Sequence, residues 1–293
     1  MSSRRLPAVS RALTQPPVDQ HVAVTAARRL NRAAGLLALS VLADSGLEHY
    51  RGDFQNRAMF APLVVSSLGL AASGHGVGDK RHGAHVARDV IYAASAATGL
   101  AGLGFHLYNV TKRPGGFSWQ NLFYAAPLGA PGALVLSGVL GFFAERVRDN
   151  APGKVPLTFG LPAGRASAAV ASFGLLGTVA EAALLHFRGS FQDPFMFLPV
   201  TLPPVTAGLL ANTARGTARR HNRLTRFFLR ATAAMGFLGV GFHALGIARN
   251  MGGWRNWTQN IQNGPPLPAP PSFTGLALAG LAALGLLEDD PDA

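Results

Sequence analysis

Two histidines that close apolar runs, His49 and His186, stand 137 positions apart, and so do His106 and His243. Within each half the two are 57 positions apart. An imidazole inside an apolar helix is a natural transition-metal ligand. Two imidazoles at one depth, on opposite sides of a helix bundle, can hold the iron of a flat macrocycle between them. The chemistry this spacing predicts is bis-histidine ligation of a b-type haem, once in each half, giving two haems b.

The neighbours of these histidines are duplicated too. His49 opens "HYRGDFQN" and His186 opens "HFRGSFQD". Arg51 and Arg188 therefore follow the histidines closely, where a guanidinium can pair with a haem propionate. His106 and His243 end "GLAGLGFH" and "GFLGVGFH". Gly102 and Gly104, with Gly239 and Gly241, would let a ring approach the backbone. Each feature also has a plainer reading. Small residues at such spacing pack membrane helices together, an arginine past a span snorkels to the interface, and a histidine can hydrogen-bond between helices.

Asp44 and Glu181 are likewise 137 apart, each five residues before a histidine. Five residues turn a helix by about 140°, so the carboxylate leaves the histidine face. It is expected to point at the other half, a quinone or a proton path, or to be protonated and paired. An alternative is a non-haem metal held by Asp44, His49 and His106, and by Glu181, His186 and His243. The segments with Gln55 and Gln192 read as a quinone head-group pocket, a docking surface, or a tight turn held by its own hydrogen bonds. His75, His82 and His85 have no counterpart in the second half and read as a solvated loop. His21 and His221 lie in polar segments.

Such residues need helices to carry them. Charged residues make up 14 % of the 293-residue chain, and the mean hydropathy is +0.22. Apolar runs recur along its length, which predicts an all-α integral membrane protein in the lipid bilayer. Eight transmembrane helices are expected, near 33–49, 58–74, 90–110, 125–144, 166–186, 195–212, 228–248 and 272–287. Pro62, Pro199, Pro203 and Pro204 are expected to bend or shorten the second and sixth. With both termini inside, the inner segments hold 19 of the 26 lysines and arginines and the outer segments hold 7. Four spans per half is an even number, so the two four-helix repeats are parallel. The domains are then a tail at 1–32, a first membrane repeat at 33–150, a linker at 151–165 and a second repeat at 166–293. The first thirty residues lack the apolar core of a cleavable signal.

The net charge of +12 does not indicate nucleic acid, because the arginines sit in the gaps between apolar runs. Without cysteine, disulfides, thiolate metal sites and covalent c-type haem are excluded. No phosphate-cradling motif or nucleophile–base signature is present. The histidine-paired, two-bundle plan resembles membrane cytochrome b subunits in architecture. The expected function is a membrane electron-transfer subunit with its haems near the outer face, serving a quinone and an outer-face or periplasmic dehydrogenase. The competing classes are a non-haem metal oxidoreductase and a transporter or scaffold subunit with a duplicated polar cavity. A composition rich in Ala, Gly and Arg suggests a bacterial inner membrane.

Overall fold

The computed structural model describes residues 20–124, 128–151, 154–215 and 222–288. They form a helical membrane protein. The helices are α1 (Gln20–Arg51), α2 (Ala61–Gly78), α3 (Val86–Thr111), α4 (Trp119–Tyr124), α5 (Gly129–Arg148), α6 (Ala163–Arg188), α7 (Leu198–Ala214), α8 (Asn222–Arg249), α9 (Trp257–Asn263) and α10 (Pro271–Glu288). A two-stranded antiparallel hairpin, β1 (Leu157–Thr158) with β2 (Leu161–Pro162), joins α5 to α6. Among the described residues, seven helices are long and apolar enough to cross a membrane.

The first helix, α1, is not one of the seven. Its 32 residues include Arg28, Arg29, Arg32, Asp44 and Glu48, which dilute its apolar character. It is nevertheless the most central helix, packed on α2, α5 and α10. Ala23, Ala26, Ala27 and Leu30 are buried, so the packed face begins well before residue 33. The helix therefore takes in the latter part of the predicted tail, because small apolar residues alternate there with the arginines. Residues 1–19 of that tail lie outside the described residues.

Helix pairing follows one scheme twice. In the first half α1 packs on α2, α2 on α3, α3 on α5, and α5 back on α1. In the second half α6, α7, α8 and α10 repeat that circuit. The first and third helices of each circuit are its diagonal members. The halves meet through α1 on α10 and α5 on α6. The core lies along this seam, in residues such as Leu37, Leu140, Leu175, Leu276 and Leu284.

Equivalent contacts recur in both halves. A Cβ on Gly99 would meet the Pro131 carbonyl oxygen at 2.8 Å, and one on Gly236 would meet the Pro270 carbonyl oxygen at 2.8 Å. Gly141 lies against Tyr92, and Gly280 against Leu229, the corresponding residues. A side chain at these glycines would push the helices apart.

The expected fourth span, 125–144, is divided differently. Helix α4 stands alone, and α5 starts at Gly129, shortly before Pro131. Residues 125–127 lie outside the described residues. In the second half α9 takes the place of α4. Pro62 and Pro199 sit in the first turns of α2 and α7, where a missing N–H costs no hydrogen bond. Pro203 and Pro204 fall inside α7.

Candidate functional site

The site is built from the corner that follows α1 and from its counterpart after α6. Each helix ends just past its histidine, and the chain turns back through two residues of positive φ. These are Asp53 and Phe54, at +54° and +46°, and Ser190 and Phe191, at +59° and +46°. A phenylalanine in that region carries backbone strain. Backbone bonds hold the turn: Phe54 N–H donates to the His49 carbonyl at 3.1 Å, and Phe191 N–H to the His186 carbonyl at 3.0 Å. A 3₁₀ turn follows, Arg57–Phe60 in one corner and Pro194–Phe197 in the other. Asn56 and Asp193 cap these turns, accepting from Ala58 N–H and Phe195 N–H at 2.9 Å each.

What the corner delivers is a carbonyl. Nδ1 of His49 lies 2.7 Å from the Met59 oxygen, and Nδ1 of His186 lies 2.8 Å from the Met196 oxygen. A carbonyl only accepts, so Nδ1 carries the hydrogen and donates it. In the neutral imidazole, Nε2 is then left with the lone pair. The ring is also fixed sideways. Phe54 meets the His49 ring edge-on at 6.2 Å and stacks on Phe60 at 4.4 Å. Phe191 meets His186 at 6.0 Å and stacks on Phe197 at 4.6 Å.

The partner histidine on α8 is oriented in the same way. Nδ1 of His243 donates to the Pro266 carbonyl at 2.7 Å. His106 on α3 is engaged as well. Pro127, which corresponds to Pro266, lies outside the described residues. All four imidazoles are half-buried and sit near the C-terminal ends of α1, α3, α6 and α8, at one end of the bundle. An Nδ1–H bound to a carbonyl is the support that metal-ligating histidines generally have, since it fixes the tautomer and raises the basicity of the other nitrogen. This donor set fits an axial haem ligand.

The other predicted residues are placed as follows. Arg51 forms an ion pair with Glu48, one turn back on α1. Arg188 lies over the rings of Phe123 and Tyr124 at 4.8 and 5.7 Å, so it packs on α4 of the first half. Gly102 and Gly239 are packing positions, because a Cβ there would meet Pro131 at 3.2 Å or Pro270 at 2.8 Å. Gly104 and Gly241 have nothing within 4 Å of an added Cβ. The plain packing reading thus describes the first glycine of each pair, and open space borders the second.

Glu181, on α6, lies against the start of α5: its carboxylate sits beside the Gly129 backbone N–H, where a Cβ on Gly129 would meet it. Asp44 is half-buried on α1. A carboxylate at a helix N-terminus is favoured by the helix dipole. Among the described residues, no three His, Asp or Glu side chains are gathered as a metal would need.

A second polar cluster lies at the opposite end of the first half. Arg88, only 2 % exposed, donates in bidentate fashion to Glu145 at 2.9 and 2.9 Å and to Asp79 at 3.0 Å. Its Nη1 is also 3.0 Å from His75 Nδ1. Arg148 donates to the carbonyls of Gly76, Asp79 and Arg81 at 2.8, 2.7 and 3.1 Å. His85 N–H donates to Glu145 at 3.0 Å, and the ring of His85 meets His75 edge-on. The loop expected to be solvated is therefore clamped from α5, by Arg148 and Glu145, which lie in an otherwise apolar run. Burial raises the Asp79 carboxyl, but hydrogen bonds from the Arg81 backbone and from Arg88 and Arg81, with the nearby Arg148 charge, hold it well below the usual carboxylate range.

No family model, curated protein or solved structure matches this chain.

Proposed function

We propose that this protein is a cytochrome b-like electron-transfer subunit of a membrane. It would carry one bis-histidine b-type haem in each half, between His49 and His106 and between His186 and His243. The observation that carries the reading is the duplicated donation of Nδ1–H to a carbonyl: His49 to Met59 and His186 to Met196, with His243 to Pro266 beside it. A ring pinned in this way presents Nε2, and two helices from diagonal positions of one circuit bring a pair of rings to the same end. A b-type haem so held supplies reversible one-electron transfer at iron. The chain's own contribution is to fix each tautomer, to brace the first ring of each pair with Phe54 or Phe191, and to keep Gly104 and Gly241 without side chains.

The wider reading has eight spans in two parallel repeats, with α1 as the first span and both termini inside a bacterial inner membrane. The haems would then lie near the outer face and exchange electrons with a quinone and an outer-face dehydrogenase. Asp44 and Glu181 would serve as proton-accepting positions beside such a quinone. Among the described residues Asp44 and Glu181 join no three-ligand cluster with the histidines, which favours haem over a non-haem metal.

The test uses asparagine. In His49→Asn and His186→Asn the side-chain amide can still donate to Met59 or Met196, but the outer nitrogen is gone. Purified wild-type protein is expected to show Soret and α bands in the reduced-minus-oxidised spectrum, and each variant should lose half of them while melting within a few degrees of wild type. A folded protein that takes up no haem when it is supplied would refute the proposal. So would variants that keep full haem content.

A further inference from the structure

At the end of the bundle away from the four histidines, a groove of about 430 Å³ opens between the first turns of α1 and the α2–α3 loop. His21, Val24, Thr25, Arg28, Lys80 and His82 line it. One guanidinium, one ammonium and two imidazoles line a single space, and among the described residues no carboxylate lines it with them. Neither Arg28 nor Lys80 makes an ion pair among the described residues. The nearest acid in sequence, Asp79, is committed to Arg88 and Arg81 at 3.0 and 3.2 Å.

The walls of the groove are set in advance. Nε of Arg28 donates to the Val77 carbonyl at 2.7 Å, which aims the rest of the guanidinium away from that bond. His82 Nε2 donates to the Asn150 carbonyl at 2.5 Å. Gly83 N–H donates to the Arg148 carbonyl and Ala84 N–H to Asp149, both at 3.2 Å. The buried Arg148 holds the carbonyls on the other side of Lys80, those of Asp79 and Arg81. A loop anchored at so many points keeps Lys80 and His82 beside α1 at little further entropic cost, which is the requirement for a preorganised site.

We infer that this groove binds a phosphate-bearing anion, held between Arg28 and Lys80 with the Thr25 hydroxyl and the imidazoles of His21 and His82 around it. Guanidinium and ammonium groups both recognise phosphate oxygens. The groove lies where a transmembrane bundle meets the lipid head-groups, and basic pockets at that level take acidic phospholipid head-groups. A soluble phosphate ester presents the same dianionic or monoanionic oxygens. The assignment does not depend on the haem reading.

The experiment uses the full-length, detergent-purified chain. Melting temperature and native mass spectra are recorded with phosphatidylglycerol, with phosphatidylcholine, and with inorganic phosphate at matched ionic strength. Phosphatidylglycerol is expected to raise the melting temperature and to remain as a one-to-one adduct, with phosphatidylcholine doing neither. Binding by the Arg28→Gln/Lys80→Gln pair should fall at least tenfold, whereas Arg223→Gln, which removes one exposed charge at the same end of the other half, should leave it unchanged. Lys80→Gln alone, which breaks no side-chain hydrogen bond or ion pair among the described residues, should give a several-fold loss, so a folding defect cannot imitate the result. Equal stabilisation by inorganic phosphate, lost in the same variants, also supports the site and identifies the occupant as a soluble ester. The inference is overturned if no anion stabilises the protein. It is equally overturned if Arg223→Gln weakens binding as much as the groove variants do.

Discussion

Replacing Glu145 by leucine tests how the first half is held together, and the second half supplies the control. Glu145 is fully buried, and three donors converge on its two oxygens: Arg88 twice at 2.9 Å and His85 N–H at 3.0 Å. Without it, Arg88 keeps Asp79 at 3.0 Å and the His75 ring at 3.0 Å, and its bidentate face is left against apolar atoms. Leaving one partner of a buried ion pair uncompensated costs about 3–5 kcal/mol. Arg88→Thr alone exposes Glu145 to the same penalty, relieved only by His85 N–H and by Arg148 at 4.0 Å. The residues that correspond to Arg88 and Glu145 in the second half are Thr225 and Leu284, both fully buried. The double variant Arg88→Thr/Glu145→Leu therefore installs the residue types that stand at the corresponding positions of the second half. It should cost well short of the sum of the single changes, because each single change leaves a buried charge uncompensated and the double change removes both charges of the pair. The assay is equilibrium unfolding in mixed micelles, analysed as a double-mutant cycle. Single changes costing under about 1 kcal/mol would refute the reasoning, as would a double variant equal to the sum of the singles.

Asp79 gives a pH dependence with a defined sign. Its folded-state pKa is depressed, so its stabilisation is complete above the unfolded value of about 3.9 and is lost as pH falls through the folded one. Asp79→Asn should melt lower than wild type at pH 7, and the gap should narrow below about pH 4; a gap constant from pH 7 to 3 would contradict the assignment. In α3, Gly99→Ala places a methyl 2.6 Å from Val135 N and should cost about 1–3 kcal/mol in a thermal or denaturant melt, whereas Gly104→Ala, which meets nothing within 4 Å, should be neutral or slightly stabilising. Gly104→Leu should leave the melt intact and lower haem retention, because the proposal puts a ring in that open space. Gly129→Ala drives a methyl into the Glu181 carboxylate and should destabilise the seam, an effect that Glu181→Ala in the same chain should relieve in a melting comparison.

The apolar runs and the 137-residue repeat showed most of the helices, because bilayer-length hydrophobicity is a strong signal. The start of helix α1 is not legible in the sequence, since Arg28, Arg29 and Arg32 read as a tail while Ala26, Ala27 and Leu30 among them pack into the core. The short helices α4 and α9 were invisible: one turn or two of helix carries no periodicity to read. The candidate histidines were legible as residues, but their orientation was not. Nothing in "HYRGDFQNRAMF" announces that Met59 will offer its carbonyl, because that depends on Asp53 and Phe54 taking positive φ, which neither residue type predicts. The Arg88–Glu145–Arg148 network was missed for a related reason. Glu145 and Arg148 stand at the end of an apolar run, where charges ordinarily mark the exit to solvent.

The corresponding positions of the two halves compare differently at the two ends of the bundle. Away from the histidines they differ: Tyr92 bonds to Ser73 and Asn31 in the first, and Leu229, Leu210 and Ala168 stand 137 residues on in the second. Both solutions fill the core, so packing alone does not fix the residue type there. At the histidine end the halves agree in detail. The same ring nitrogen donates to the same carbonyl ten residues on, and an aromatic residue at φ +46° braces the ring in each. Positive φ in a phenylalanine costs about 1–3 kcal/mol. A helix could end more cheaply with glycine in that conformation. A fold that needed only to reverse its chain would have no use for the strained aromatic twice. A fold that must hold an imidazole with one nitrogen tied and the other presented does, because the phenylalanine packs against the ring edge that a glycine would leave loose. The retained strain therefore argues that the position of the ring, and not the turn, is what the two corners have in common.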